Sequence, residues 1–211
     1  MKYKCILFDC DGVIVDSESI SNLTLIEMAQ TVGVTLTEEF VMDHFLGKSL
    51  AFCFKYIQDQ ANQKLPANFE TEFRDRTFHA FKTRLQPIPG IHALLNKIDI
   101  DYCVASNGPR EKIIVNLTTV HLLDKFEGKI FSAYDINSWK PNPELYLHAA
   151  KKMGYSIADC VVIEDSPAGV QAALAGGFAV FGYINAHNKV AFEEMKIPVF
   201  DNMEQLDQLL T

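Results

Sequence analysis

The chain has 211 residues, 48% of them hydrophobic and 22% charged, ordinary globular usage that excludes a disordered, fibrous or membrane-embedded protein. At roughly 100–200 residues per domain, this length holds one large domain or one domain carrying a smaller one. Acidic residues outnumber basic ones by 27 to 19, giving a formal net charge of -8, the wrong sign for coating nucleic acid or an anionic membrane.

The first predicted element is a strand over Cys5–Phe8, a short apolar run that stops at Asp9. A continuous run of this kind reads as a strand buried on both faces. From Asp16 to about Arg84 the pattern changes to helical spacing, with Ile20, Leu23 and Ile26 in register and Gly33 as a stop. No strand is predicted there, so this stretch reads as an all-helical insertion. Its return runs through Pro87-Ile88-Pro89-Gly90, a stiff connector. Beyond it, strands are predicted at Tyr102–Ala105, Lys129–Ala133, Cys160–Ile163, Ala179–Tyr183 and Pro198–Phe200. Helices are predicted between them: one opens at Pro143 and closes at Gly154, and another opens at Ser166-Pro167 and closes at Gly176-Gly177. Alternating strands and helices imply an α/β domain with a mainly parallel sheet. The expected organisation is a core of residues 1–15 and 86–211, with residues 16–85 as the inserted helical domain.

Five cysteines, Cys5, Cys10, Cys53, Cys103 and Cys160, form no C-x-x-C pair, which fits a reducing compartment. The apolar run after Met1–Lys4 is cut short at Asp9, too early for a secretory signal, and no apolar span of about 18 residues exists. The expected location is the cytoplasm.

Four polar clusters follow strand ends, where parallel sheets collect their chemistry. Asp9-Cys10-Asp11-Gly12 places two carboxylates two residues apart. A solvated turn would account for them, but a calcium-binding loop would not, because Gly12 follows Asp11 immediately. Ser106-Asn107-Gly108-Pro109 offers a hydroxyl and free backbone N–H groups ahead of a helix, a seat for a phosphoryl group or an ordinary helix cap. Lys140 precedes Pro141-Asn142-Pro143. Held rigidly near carboxylates, a lysine can neutralise a phosphate and the group attacking it. Glu164-Asp165-Ser166-Pro167 supplies a second acidic pair, with which Asp9 could make an oxygen-rich site for a hard divalent cation such as Mg²⁺.

Taken together, Asp9-Cys10-Asp11-Gly12-Val13, Ser106-Asn107-Gly108, Lys140-Pro141-Asn142-Pro143 and Glu164-Asp165-Ser166-Pro167-Ala168-Gly169 resemble the four motifs of the haloacid-dehalogenase-like superfamily, in the branch related to β-phosphoglucomutase. The resemblance implies a Rossmann-like core with a helical cap that closes over the site. It implies Asp9 as nucleophile and Asp11 as general acid and base. Mg²⁺ would be held by Asp9, the Asp11 carbonyl and Asp165 with Glu164 nearby, and Ser106, Asn107 and Lys140 would bind the phosphoryl group. Cys10 should be a buried filler turned away from Asp9. Two departures from the mutase, Ser21 in place of a cap histidine and Leu50 in place of an arginine, imply net hydrolysis. Tyr134-Asp135-Ile136-Asn137-Ser138-Trp139-Lys140-Pro141 resembles bacterial sugar-phosphate phosphatases acting on 6-phosphogluconate, with Lys48 reaching the substrate. The expected partner is a small phosphorylated metabolite, handled by a monomer without nucleic acid or membrane.

Two rival readings use similar residues. A phospho-accepting receiver module takes its acidic pair from the first strand but its phosphorylated aspartate from a middle one, and lacks a helical insertion after strand one. Dehalogenation of carbon uses an aspartate nucleophile but gives Asp11 and Asp165 no role. The order of the clusters along this chain favours the phosphatase.

Overall fold

In the computed structural model the described residues are 2–45, 50–185 and 188–210; Lys48 lies outside them. The elements run β1 (Cys5–Phe8), β2 (Val15–Asp16), α1 (Ser17–Thr31), α2 (Glu38–Phe45), α3 (Leu50–Gln60), α4 (Phe69–Arg84), β3 (Gln86–Pro87), α5 (Ile91–Lys97) and β4 (Asp101–Ser106). They continue with α6 (Arg110–Thr119), β5 (Ile130–Ser132), α7 (Ala133–Ile136), α8 (Glu144–Met153), β6 (Cys160–Glu164), α9 (Pro167–Ala175), β7 (Ala179–Tyr183), α10 (Lys189–Met195), β8 (Val199–Phe200) and α11 (Met203–Leu209). The chain divides into two compact units, Met1–Asp16 with Gln86–Thr211, and Ser17–Leu85.

The first unit is a Rossmann-like α/β fold. Among the described residues its sheet has six strands in the order β5-β4-β1-β6-β7-β8, paired in parallel throughout. β1 is central because all four of its residues are apolar and fully buried. Burying each such side chain contributes about 1.5–3 kcal/mol. After β1 the chain builds β4 and β5 on one side, then crosses to β6 on the other. That reversal opens a crevice at the carboxyl ends of the strands. Phe8 pairs with Val104 on one side and Ile163 on the other, so Asp9, the end of β4 and Glu164 arrive at one edge.

Local chemistry ends the helices where the sequence predicts. Gly154 closes α8 at φ 83°, and the Ser166 hydroxyl caps α9 by accepting from the Gly169 N–H at 3.1 Å, with Pro167 in the first turn. Sequence patterning does not reveal β2 and β3, a two-residue antiparallel ladder joining Val15 to Pro87 and Asp16 to Gln86. Asp16, expected to open the insertion, therefore groups with the first unit, in a ladder separate from the six-stranded sheet.

The second unit is helical. Its apolar spacing puts Phe69, Phe73 and Phe81 on the buried face of α4. Phe54 meets Phe69 and Phe73 edge-on, with ring centroids 5.5 and 5.6 Å apart. Among the described residues no helix is long and apolar enough to cross a membrane.

Candidate active site

Asp9 leaves β1 with its N–H still bonded to the Ile163 carbonyl at 3.0 Å, which fixes its backbone to β6. Its carboxylate is buried and accepts from Lys140 Nζ at 2.5 Å. The same ammonium donates to Glu164 Oε1 at 2.7 Å, and Glu164 has no exposed surface. Lys140 is also buried and sits 4.8 Å from the centre of the Tyr146 ring, a favourable cation–π distance.

Asn107 holds this lysine in place. Its carboxamide accepts from the Lys140 N–H at 2.9 Å and donates to the Lys140 carbonyl at 3.4 Å. The residue expected to bind substrate thus has its side chain on the lysine backbone. Ser106, at the end of β4, is buried, and its hydroxyl accepts from the Gly108 N–H at 3.0 Å.

Glu164 is fully engaged. Oε1 accepts from Lys140 and from the Tyr146 hydroxyl at 2.6 Å, and Oε2 accepts from the Ser166 N–H and hydroxyl at 3.0 and 2.8 Å. Four donors fill the lone pairs of one carboxylate. Gly169 is necessary here, because a Cβ at that position would fall 1.7 Å from Glu164 Oε1. The backbone of the neighbouring Asp165 is tied by Asn188, whose amide donates to the Asp165 carbonyl at 2.7 Å and the Tyr183 carbonyl at 2.9 Å.

Asp9, Glu164 and Asp165 each offer an oxygen within 4.8 Å of the others, a group that could hold one metal ion. The donors are all hard carboxylate oxygens, as Mg²⁺ prefers. Burial pushes the Asp9 carboxyl up; Lys140 opposes the rise, Glu164 and Asp11 add to it, and the group reaches about 7. A carboxyl held that high by burial, and then by its acidic neighbours, is one a divalent cation would return to the ionised state. The residues therefore fit the ion, which Asp9 and Asp165 would hold while Glu164 supports Lys140. For Lys140, burial lowers the pKa, but Asp9 and Glu164 outweigh it and hold the ammonium above its ordinary value.

The Asp11 carboxylate stands apart from that group and pairs with Lys112 and Asn116 of α6. Cys10 is fully buried, and burial pushes its thiol well above the ordinary range. All five cysteines are free and buried.

A family model described as haloacid dehalogenase-like hydrolase matches residues 3–177. The chain belongs to this family. A 6-phosphogluconate phosphatase of Escherichia coli is 36% identical to this hydrolase over 211 residues, covering 99% of this chain and 95% of its own. Among solved structures, a haloacid dehalogenase-like protein of unknown function from Agrobacterium tumefaciens superposes with a TM-score of 0.89 at 26% identity, over 99% of this chain and 97% of its own. A family hydrolase from Deinococcus radiodurans, solved with bound phosphate and sodium, superposes with a TM-score of 0.87 at 25% identity, over 99% of this chain and 95% of its own.

Of the residues expected from sequence, the fold brings Asp9, Lys140, Glu164 and Asp165 into one cluster, with Ser106 and Asn107 at the neighbouring strand end. Lys112, Asn116, Tyr146 and Asn188 of this hydrolase were not anticipated. Lys112 and Asn116 carry the one signal that could have exposed them, a spacing of four on the helix that follows Ser106-Asn107-Gly108-Pro109.

Proposed function

We propose that this hydrolase is a Mg²⁺-dependent phosphatase that releases inorganic phosphate from a small phosphorylated sugar or sugar acid, with 6-phosphogluconate as its substrate. The observation that carries the reading is the buried Asp9–Lys140–Glu164 cluster with Asp165 beside it at the strand ends. The E. coli relative supports the substrate, since its identity extends over nearly the whole of both chains.

In this reading a carboxylate oxygen of Asp9 attacks the phosphorus in line as the bond to the sugar oxygen breaks. Asp11 gives that oxygen a proton. Water then attacks the aspartyl-phosphate, Asp11 takes a proton from it, and phosphate leaves with Asp9 restored. Lys140, kept protonated by its two carboxylates, neutralises charge on the transferring phosphoryl group. The Ser106 hydroxyl, with backbone N–H groups ahead of α6, binds its equatorial oxygens. Asp9 and Asp165 would hold Mg²⁺, which when bound would supply the charge neutralisation that lets a carboxylate approach a dianion.

Hydrolysis is favoured over mutase chemistry because Ser21 and Leu50 replace groups a mutase uses. The Ser21 hydroxyl is engaged with the Ser17 carbonyl of its own helix at 2.9 Å. The test is phosphate release from phosphorylated sugars, sugar acids and nucleotides with Mg²⁺ present. Fastest turnover is expected on 6-phosphogluconate, and equal slow release from every compound would overturn the substrate assignment.

A further inference from the structure

Four carboxylates gather near the ends of β1 and β6, yet the group able to share one ion consists of Asp9, Glu164 and Asp165. Asp11, two residues from Asp9, is drawn aside. Lys112 Nζ donates to its two oxygens at 2.9 and 2.8 Å, and Asn116 Nδ2 donates to Oδ1 at 3.3 Å. Lys112 and Asn116 are four residues apart on α6 and so share a face.

Two further observations show that this arrangement is built. Asn116 is fully buried, and its Oδ1 has no partner among the described residues. Burying an amide acceptor unsatisfied is costly, which is explicable where the Nδ2 of that amide is needed on Asp11. At Gly108, a Cβ would lie 3.4 Å from both Lys112 Cδ and Ser106 Oγ, and 4.0 Å from Asp11 Oδ2. The lysine stem therefore runs over bare backbone between the phosphoryl seat and the carboxylate it holds.

We propose that Lys112, backed by Asn116, is a positioning residue that keeps the Asp11 carboxylate out of the cation cluster, so that it stays available for proton transfer. The inference rests on the reading of Asp11 as the acid and base of a phosphatase. Without the clamp, a mobile carboxylate this near a divalent cation would be drawn into its coordination shell, because Mg²⁺ gathers oxygen ligands. A carboxylate taken into a metal ion's coordination shell is no longer aimed at the leaving oxygen. Lys112 touches Asp11 and acts through it.

The test compares the wild type with Lys112→Met, Asp11→Asn and the double variant. The substrates are the sugar phosphate the wild type hydrolyses fastest and 4-nitrophenyl phosphate, whose leaving group departs without a proton. Lys112→Met should lower kcat on the sugar phosphate by on the order of tenfold or more, with KM changed less than about twofold. First-turnover release of nitrophenolate should fall much less. In the Asp11→Asn background, Lys112→Met should cost nothing further, and Lys112→Arg should recover part of the wild-type rate. Calorimetry should show tighter Mg²⁺ binding in Lys112→Met than in the wild type, with no such gain between Asp11→Asn and the double variant. Lys112→Gln serves in the same comparisons if Lys112→Met does not fold. Equal losses in both backgrounds, or a rise in KM alone, would overturn the inference. A wild type that releases phosphate from neither substrate would instead overturn the phosphatase reading beneath it.

Discussion

Gly12 sits in the loop after β1 at φ +78°, and a Cβ there would fall 1.9 Å from Asp165 Oδ2 and 2.5 Å from its Cγ. Gly12→Ala therefore has two separable effects. An L side chain in the left-handed region costs about 1–2 kcal/mol, which for a chain of this size lowers Tm by roughly 2–8 °C. The second effect is local: ordinary contact begins at 3.4 Å, so the Asp165 carboxylate must retreat by at least about 1.5 Å. A displacement of about 1 Å at a reacting centre costs on the order of 100-fold in rate. Phosphate release measured against Mg²⁺ concentration should show kcat down by about that factor or more, and a higher Mg²⁺ requirement. Gly33→Ala is the control, because Gly33 has φ +80° with nothing within 4 Å of a built Cβ. It should lose comparable stability and keep wild-type turnover. Wild-type activity and Mg²⁺ dependence in Gly12→Ala, or an equal activity loss in Gly33→Ala, would refute the reasoning.

Lys140→Met should abolish turnover and lower the unfolding free energy by about 3–5 kcal/mol in urea melts, because Asp9 and Glu164 would be left buried without their shared cation. A stability change under about 1 kcal/mol would show that the cluster is not electrostatically linked. In the metal-free protein, burial first and then the neighbouring carboxylates lift Asp9 to about 7, against 3.8 for an ordinary aspartate. Between those values the folded chain keeps a proton that the unfolded chain has released, so stability is greatest at the acid end of this window. It falls as pH rises through about 7, by on the order of a few kcal/mol. Mg²⁺ favours the ionised form and should raise Tm more at pH 8 than at pH 5; equal stabilisation at both would contradict the assignment.

The parts of the fold legible in the sequence are those whose signal is local. Cys5–Phe8 reads as a strand because a strand buried on both faces is a continuous apolar run. Gly154 and Ser166-Pro167 mark helix ends because capping depends on one or two residues. The ladder of Val15–Asp16 with Gln86–Pro87 is two residues long and includes a proline, too short to carry a period. The site divides in the same way. Asp9, Lys140, Glu164 and Asp165 follow strand ends or a proline-fixed turn and are visible as motifs. Asn107 reads as a phosphate seat, yet its side chain serves the backbone of Lys140, 33 residues away. Tyr146 reads as one of the apolar positions of its helix, and only the folded chain brings its hydroxyl to Glu164. Such partners are set by which strand ends the sheet order brings together, which no local pattern records.

The central claim is that Asp9 carries the phosphoryl group, and acid-quenched turnover followed by peptide mass spectrometry tests it most directly. With 6-phosphogluconate and Mg²⁺, a phosphoryl adduct is expected on the peptide containing Asp9. Asp9→Asn, folded by circular dichroism, should show neither adduct nor phosphate release. An adduct on another residue, or continued turnover in Asp9→Asn, would contradict the account.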